Sequence, residues 1–259
     1  MRIGIISPYH HAGVTTVALM LGQCIASTQA ASVCLTYTGE NQSIKRYIGI
    51  NDVQDATRSI SQVVKLLNAN AIQPGDLGDY TIKLGTNLEL MDTYSNSITP
   101  EESADVLSYV LEHIQRDVVI CDISSELDSP ETQAIFDKCD QVIMVIEPST
   151  RNIEAGRMWL ESSYWPKKLH TMLLVNKYSP EIMPLSEAAK TVGIKMRDTC
   201  KLHYHPLIMK ESNKQVLDTV MPFIIARDYR VIELNSDLKE CVQFLFSNMS
   251  LKTRWEAKT

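Results

Sequence analysis

Glycine and proline are scarce in this chain, ten of each among 259 residues, which excludes collagen-like and low-complexity architectures. The six cysteines, at 24, 34, 121, 139, 200 and 241, lie far apart with no CxxC pair. That spacing argues against a disulfide scaffold or a zinc ribbon and points to a reducing, cytoplasmic setting. Basic residues are outnumbered, 25 Lys and Arg against 31 Asp and Glu, for a net charge of −6. A generally basic nucleic-acid surface is therefore disfavoured, and DNA is not supported by charge as a partner. Long apolar runs are missing too. The stretch Val17 to Ala26 contains Gly22, Gln23 and Cys24 and falls well short of the roughly 20 apolar residues a spanning helix needs. The opening MRIGIIS has a single Arg and turns at Ser7-Pro8, unlike a signal peptide. No repeat recurs at solenoid periods.

What is present is a set of short, continuous apolar runs separated by helix-length segments. Arg2 to Ile6, Val33 to Tyr37, Asp117 to Ile123, Gln141 to Glu147 and Thr171 to Asn176 read as strands. Their Val- and Ile-rich, non-alternating character predicts central parallel strands covered on both faces. Helices are predicted over Thr15 to Ala30, Ala56 to Asn68, Pro100 to Gln115, Ser129 to Lys138 and Asn152 to Ser163. Thr99-Pro100-Glu101-Glu102 is a strong helix start, with a Thr cap, Pro at the first position and acids in the first turn. Repeated strand–helix–strand units predict an α/β fold with a doubly wound, mostly parallel sheet in a three-layer sandwich. Ala69 to Tyr80, with Pro74, Gly75 and Gly78, reads as a surface loop. Beyond Tyr178 the pattern weakens, and Pro180, Pro184, Pro206 and Pro222 divide the chain into short elements before a last amphipathic helix over Asp237 to Ser247. The expected organisation is one domain over residues 1–250 and a frayed tail over 251–259.

In such a sheet ligands bind beyond the carboxyl ends of the strands. The first end runs Ser7-Pro8-Tyr9-His10-His11-Ala12-Gly13-Val14-Thr15-Thr16 and then enters a helix. A loop between strand and helix that closes on two threonines is a setting for phosphate, because amide N–H groups and the helix dipole both face the anion. Taken alone, the segment is equally a tight turn with Thr caps. Asp122, at the end of VVICDISSELD, could hold a magnesium-bound water beside a phosphate; the alternative is a helix cap or a buried acid paired elsewhere. Asn176 and Lys177 end LLVNKY. There the Asn could bond a base edge and the Lys pack over its ring, or both could belong to a simple turn.

Together these segments resemble the ParA/MinD superfamily of deviant-Walker P-loop ATPases. The loop ends GVTT; GENQSIKRYIGI, VVICDISSELD, QVIMVIEPSTRNIEAG and LLVNKY follow in the family's order. The resemblance covers roughly residues 1–245. It implies a P-loop NTPase-like fold and ATP with magnesium as cofactor. His11, Ala12, Gly13, Val14, Thr15, Thr16, Asn176 and Lys177 would lie on the nucleotide, with Thr15 and Asp122 on the metal. The departures are specific. Against the family pattern KGGxGKTT, Tyr9 and Val14 stand where lysines are expected, and His10 and His11 where glycines are. The acid pair after the second strand is reduced to Glu40, a displaced candidate beside Asp122 for a catalytic role. Losing charge stabilisation of this kind costs several kcal/mol of barrier. The lysine-free loop most resembles the TadZ/CpaE branch, whose members position pilus or secretion machinery.

Other constellations carry less. A histidine at its ordinary pKa is mostly neutral at pH 7, so His10 and His11 are not read as lysine substitutes. His203 and His205 have metal-like spacing, but no fourth ligand is evident and the alternation fits one face of a strand. The last helix ends near Lys252 and Arg254. The resemblance allows a membrane contact through this tail, but the basic face is thin, and a docked helix is preferred. The leading expectation is a homodimeric positioning or scaffold factor of a pilus, secretion or conjugation assembly, with protein partners and weak or absent hydrolysis. The alternatives are a working partition-type ATPase moving DNA or protein cargo, and an interaction module that binds no nucleotide. The dimer is expected through an aromatic, mostly uncharged Tyr9–Gly13 face and is expected to form without nucleotide, since apolar burial needs no anion to neutralise.

Overall fold

The computed structural model describes residues 1–29, 31–38, 43–50, 60–93, 98–123, 126–226 and 228–247. Glu40 and the tail 251–259 lie outside them. The described strands are β1 (Arg2–Ile6), β2 (Val33–Tyr37), β3 (Thr81–Lys83), β4 (Leu88–Met91), β5 (Val118–Asp122), β6 (Gln141–Ile146), β7 (His170–Tyr178) and β8 (Thr199–His203). They form one sheet in the order β3-β4-β2-β5-β1-β6-β7-β8. Every pairing is parallel except β3 with β4. The expected central strands β5, β1, β6 and β7 are adjacent and parallel, so the fold is the doubly wound α/β sandwich read from the sequence. From β1 the chain winds outward through β2 to β4, returns at β5, and then winds the other way through β6, β7 and β8. The reversal lies beside β1, where such sheets form their crevice.

Alternate residues of each central strand enter different cores. Ile3 and Ile5 of β1 join Val118 and Ile120 of β5 on one face. Ile6 joins Val119 and Cys121 on the other. Burial of both faces explains why these strands read as continuous apolar runs. The first core is covered by α1 (Val14–Thr28), α9 (Met221–Ile225) and α10 (Ile232–Ser247). The second is covered by α3 (Ile60–Asn68), α4 (Pro100–His113), α5 (Pro130–Lys138), α6 (Thr150–Glu161) and α7 (Leu185–Val192). Gly22 lets α1 sit directly on the sheet: a Cβ there would come within 2.7 Å of Leu35 Cδ2. The capping expectation at Thr99 holds. Its hydroxyl accepts from the Glu102 N–H at 3.2 Å, and the Glu102 carboxylate accepts from the Thr99 N–H at 2.8 Å.

One expectation is corrected. Ala69 to Tyr80 is not simply a surface loop, because Pro74–Tyr80 winds into a 3-10 turn whose Leu77 is fully buried in the second core. The short edge strands β3 and β4 have no counterpart in the sequence reading. Beyond Tyr178 the chain falls into short elements as expected, and three of the prolines stand at their starts: Pro206 opens α8 (Pro206–Asn213), Pro222 lies in the first turn of α9, and Pro184 caps α7. A ring that fixes φ and lacks an N–H suits a first turn.

Candidate functional site

The loop from Ser7 to Gly13 leaves β1 at the carboxyl edge of the sheet and enters α1. Gly13 is the cap residue, at φ +90°. It has no side chain to cap the first turn, whereas Thr99, Ser129 and Ser149 cap α4, α5 and α6. The N-terminal partial positive charge of this 15-residue helix therefore faces the crevice. Glycine is required here twice over. Its φ is left-handed, and a Cβ would lie 2.4 Å from Asn176 Nδ2. His11 also adopts a left-handed backbone, at φ +67°, a conformation a non-glycine residue holds only when its surroundings impose it.

Those surroundings come from the end of β7. Asn176 Nδ2 donates to the Ala12 carbonyl at 2.8 Å. Lys177, itself left-handed at φ +53°, donates from Nζ to the His11 carbonyl at 3.1 Å and pairs with Glu147. The two residues expected on a base edge and ring are thus, in this arrangement, the stitches that hold the loop.

Opposite the helix start, β5 delivers Asp122. The Thr15 hydroxyl donates to its Oδ2 at 2.6 Å, and both residues are buried. No cation partners Asp122 among the described residues. Burial pushes its carboxyl up to about 7, with the Thr15 hydrogen bond opposing the shift. A hydroxyl and a carboxylate are a hard, all-oxygen pair of the kind magnesium takes alongside phosphate and water. Among the described residues no group of three or more His, Cys, Asp or Glu side chains could hold a metal, so such an ion would need ligands from its phosphate. The residues fit magnesium on those terms.

A cavity of about 810 Å³ opens over this pair. It is lined by His11, Gly13, Thr15, Thr16 and Asp122 and also by Tyr47, His203, Ile208, Met209 and Ser212. The Ser212 hydroxyl is buried and without a hydrogen-bond partner. Glu126 and Glu131 also line the cavity, as do Lys177 and His10. Val14 brings an aliphatic side chain to the position where the loop pattern calls for lysine.

His203 and His205 do not share a strand face as expected. His203 ends β8, and its ring Nδ1 lies 2.7 Å from Asp237 Oδ2. His205 caps α8: its Nδ1 accepts from the Leu207 N–H at 3.2 Å, and its Nε2 lies 2.7 Å from the Arg230 carbonyl. The α-helical trajectory that begins at Pro206 separates them. The Tyr9–Gly13 face is also not the uncharged aromatic surface expected. Arg151, in the first turn of α6, donates from Nε to the Tyr9 hydroxyl at 2.5 Å and places its guanidinium 5.0 Å from the ring centroid. Sequence reading missed Arg151, because nothing local marks it. Among the described residues no helix is long and apolar enough to cross a membrane.

No protein-family model matches the chain, and no curated protein sequence matches it. Solved structures do. The MinD of the MinC:MinD cell division complex from Aquifex aeolicus superposes with a TM-score of 0.72 at 14% identity, covering 98% of each chain. A putative plasmid partition protein from Borrelia burgdorferi, bound to AMPPNP, gives 0.71 at 15% identity, covering 96% of this chain and 99% of its own. The septum site-determining protein MinD from Pyrococcus horikoshii, complexed with Mg-ADP, gives 0.68 at 16% identity over 97% and 99%. At these identities the likeness is one of fold, and the fold is that of the MinD/ParA P-loop ATPases.

Proposed function

We propose that this chain is a nucleotide-binding positioning or scaffold factor that takes Mg·ATP in the β1–α1 crevice and hydrolyses it slowly or not at all. The observation that carries this reading is the buried Thr15–Asp122 pair at the uncapped start of α1. An oxygen ligand pair beside a helix N-terminus serves a phosphate with its magnesium. Thr15 and Asp122 would hold the metal, and the backbone from His11 to Thr16 would cradle the phosphates. AMPPNP and Mg-ADP in proteins of the same fold support that choice of ligand. The chemistry magnesium supplies is neutralisation of phosphate charge. What the chain lacks is a loop lysine. Val14 offers no charge, and Lys177 is engaged with Glu147 and the His11 carbonyl. Transition-state stabilisation is weakened accordingly.

The reading extends to a homodimer through the Tyr9–Gly13 face, acting with protein components of a pilus, secretion or conjugation assembly as in the TadZ/CpaE branch. With Arg151 on Tyr9, two copies meeting there bring like charges together. The dimer is therefore tightened by a bound anion. Calorimetry with Mg·ATP and Mg·ADP, followed by a turnover assay, tests the proposal. Weak binding with slow or undetectable turnover is expected, and Val14→Lys should tighten binding. Robust turnover abolished by Asp122→Ala would instead identify a working partition-type ATPase. No binding of either nucleotide would identify an interaction module.

A further inference from the structure

We propose that Arg151 meets the outermost phosphate of the bound nucleotide, supplying from the start of α6 the cation that the β1–α1 loop does not contain. The inference rests on the nucleotide reading above and assigns that site a further binding residue. Charge around the crevice sets the problem. Asp122, Glu126 and Glu131 line it. Lys177 is the one lysine or arginine that lines it, beside His10, His11, His203 and His205, and its ammonium already faces Glu147. A triphosphate entering here meets carboxylates and a neutralised lysine. Magnesium offsets part of that charge, and the α1 dipole a further part.

Arg151 does not itself line the cavity but sits against Tyr9, which does. It has no carboxylate partner among the described residues. Its Nε is taken by the Tyr9 hydroxyl, and its two terminal amino groups make no hydrogen bond to described protein groups. It is exposed, yet the Tyr9 ring holds it in place, with the guanidinium over the face. Tyr9 in turn lines the cavity. Its location is unfavourable for the helix that carries it: a positive charge in the first turn opposes the dipole, and α6 has no acid there to compensate. An arginine set against its own helix, seated on an aromatic ring and left with a donor fork open is arranged for an anion from outside the fold. Tyr9 opens the loop on the strand side, before the His11–Thr16 backbone that would cradle the phosphates, and in this proposal the phosphate that ADP lacks is the one that comes to the guanidinium seated on it.

The test is the preference for Mg·ATP over Mg·ADP, measured by calorimetry on the full chain and on Arg151→Ala, Arg151→Lys and Tyr9→Phe. The wild type should prefer Mg·ATP by about tenfold or more, as one charge-assisted contact predicts. Arg151→Ala should erase that preference while leaving Mg·ADP affinity within about twofold. Arg151→Lys should restore part of it, since the charge returns without the fork. Tyr9→Phe should fall between wild type and Arg151→Ala, because the guanidinium loses its hydroxyl anchor. An Arg151→Ala variant that keeps the preference, or loses both nucleotides equally, overturns the assignment and leaves the nucleotide reading standing. A wild type that binds both nucleotides alike also overturns it. A wild type that binds neither overturns both.

Discussion

Two buried carboxylates stand at the carboxyl edge of the same sheet and are treated in opposite ways. Asp92 follows β4 and pairs with Lys45 of α2 (Ser43–Tyr47) and with the Tyr37 hydroxyl. Close by, the Thr93 hydroxyl bonds the Tyr37 carbonyl, and the Thr36 hydroxyl donates to Thr93 Oγ1 at 3.0 Å. Asp122, two strands away across β2, receives one hydroxyl from Thr15 and faces a cavity. The first carboxylate has its charge matched inside the protein and ties α2 to the sheet. The second is desolvated without a cation, so its carboxyl is pushed up to about 7. A fold retains an uncompensated buried acid at a cost in stability, and sites that bind cations are where that cost is recovered.

The largest effect should come from unmatching the matched acid. Lys45→Met keeps the length of the side chain and removes the ammonium that pairs with Asp92. Breaking a buried pair from one side costs about 3–5 kcal/mol. Urea unfolding should therefore show a large drop in midpoint with an unchanged slope. A loss below about 1 kcal/mol would mean that Asp92 is not held by this pair, and the contrast with Asp122 would fail.

Asp122→Asn should move stability the other way. The sign follows from proton counting. A carboxyl raised from its ordinary value near 4 to about 7 binds more protons folded than unfolded between those limits, so stability falls as pH rises through that window and is flat above it. Removing the charge should stabilise the nucleotide-free protein at pH 8, by about 4 kcal/mol at most for a shift of this size. The gain should shrink steadily below pH 7 and vanish near pH 4. Mg·nucleotide affinity should be lost in the same variant. A variant less stable than wild type at pH 8 would place a compensating cation near Asp122.

The contrast between the two acids was only half legible in the sequence. Continuous apolar runs identified β1, β5, β6 and β7, because residues buried on both faces leave no polar alternation to confuse the period. Asp122 was legible for the same reason: an acid that ends such a run must face the crevice. Asp92 was not. It follows the four-residue strand β4, too short to show a period, and its partner Lys45 lies 47 positions away. Arg151 and Tyr9 meet across 142 positions, a contact that the doubly wound topology creates and no local pattern announces. The prolines beyond Tyr178 marked the short elements, although not which of them are helices, because the same residue that ends one helix is favoured in the first turn of another. Glu40, the displaced acid candidate, lies outside the described residues.

A smaller effect joins Asp122 to its proposed ligand. Below about pH 7 its carboxyl is increasingly protonated, and magnesium must displace that proton. Mg·ATP affinity should weaken by up to about tenfold per pH unit below 7 and level off above it. Titrations at pH 6, 7 and 8 in one ionic strength would show the slope. A flat profile would assign the metal to another acid and remove Asp122 from the site.

The smallest effects come from matched hydroxyl deletions, one at each acid, measured by unfolding without nucleotide. Tyr37→Phe takes a donor from Asp92 but leaves the ammonium of Lys45, and should cost about 1–2 kcal/mol. Thr15→Val is nearly isosteric and removes the hydroxyl that Asp122 accepts from. At pH 6 the Asp122 carboxyl is largely protonated and needs no donor for charge, so the cost should stay below about 1 kcal/mol. At pH 8 the bare carboxylate loses its one side-chain hydrogen bond, and the cost should rise to about 1–3 kcal/mol. A penalty at Thr15 that grows from pH 6 to pH 8 is what an unmatched acid requires. A Thr15 penalty that does not change with pH would mean that Asp122 already has a partner.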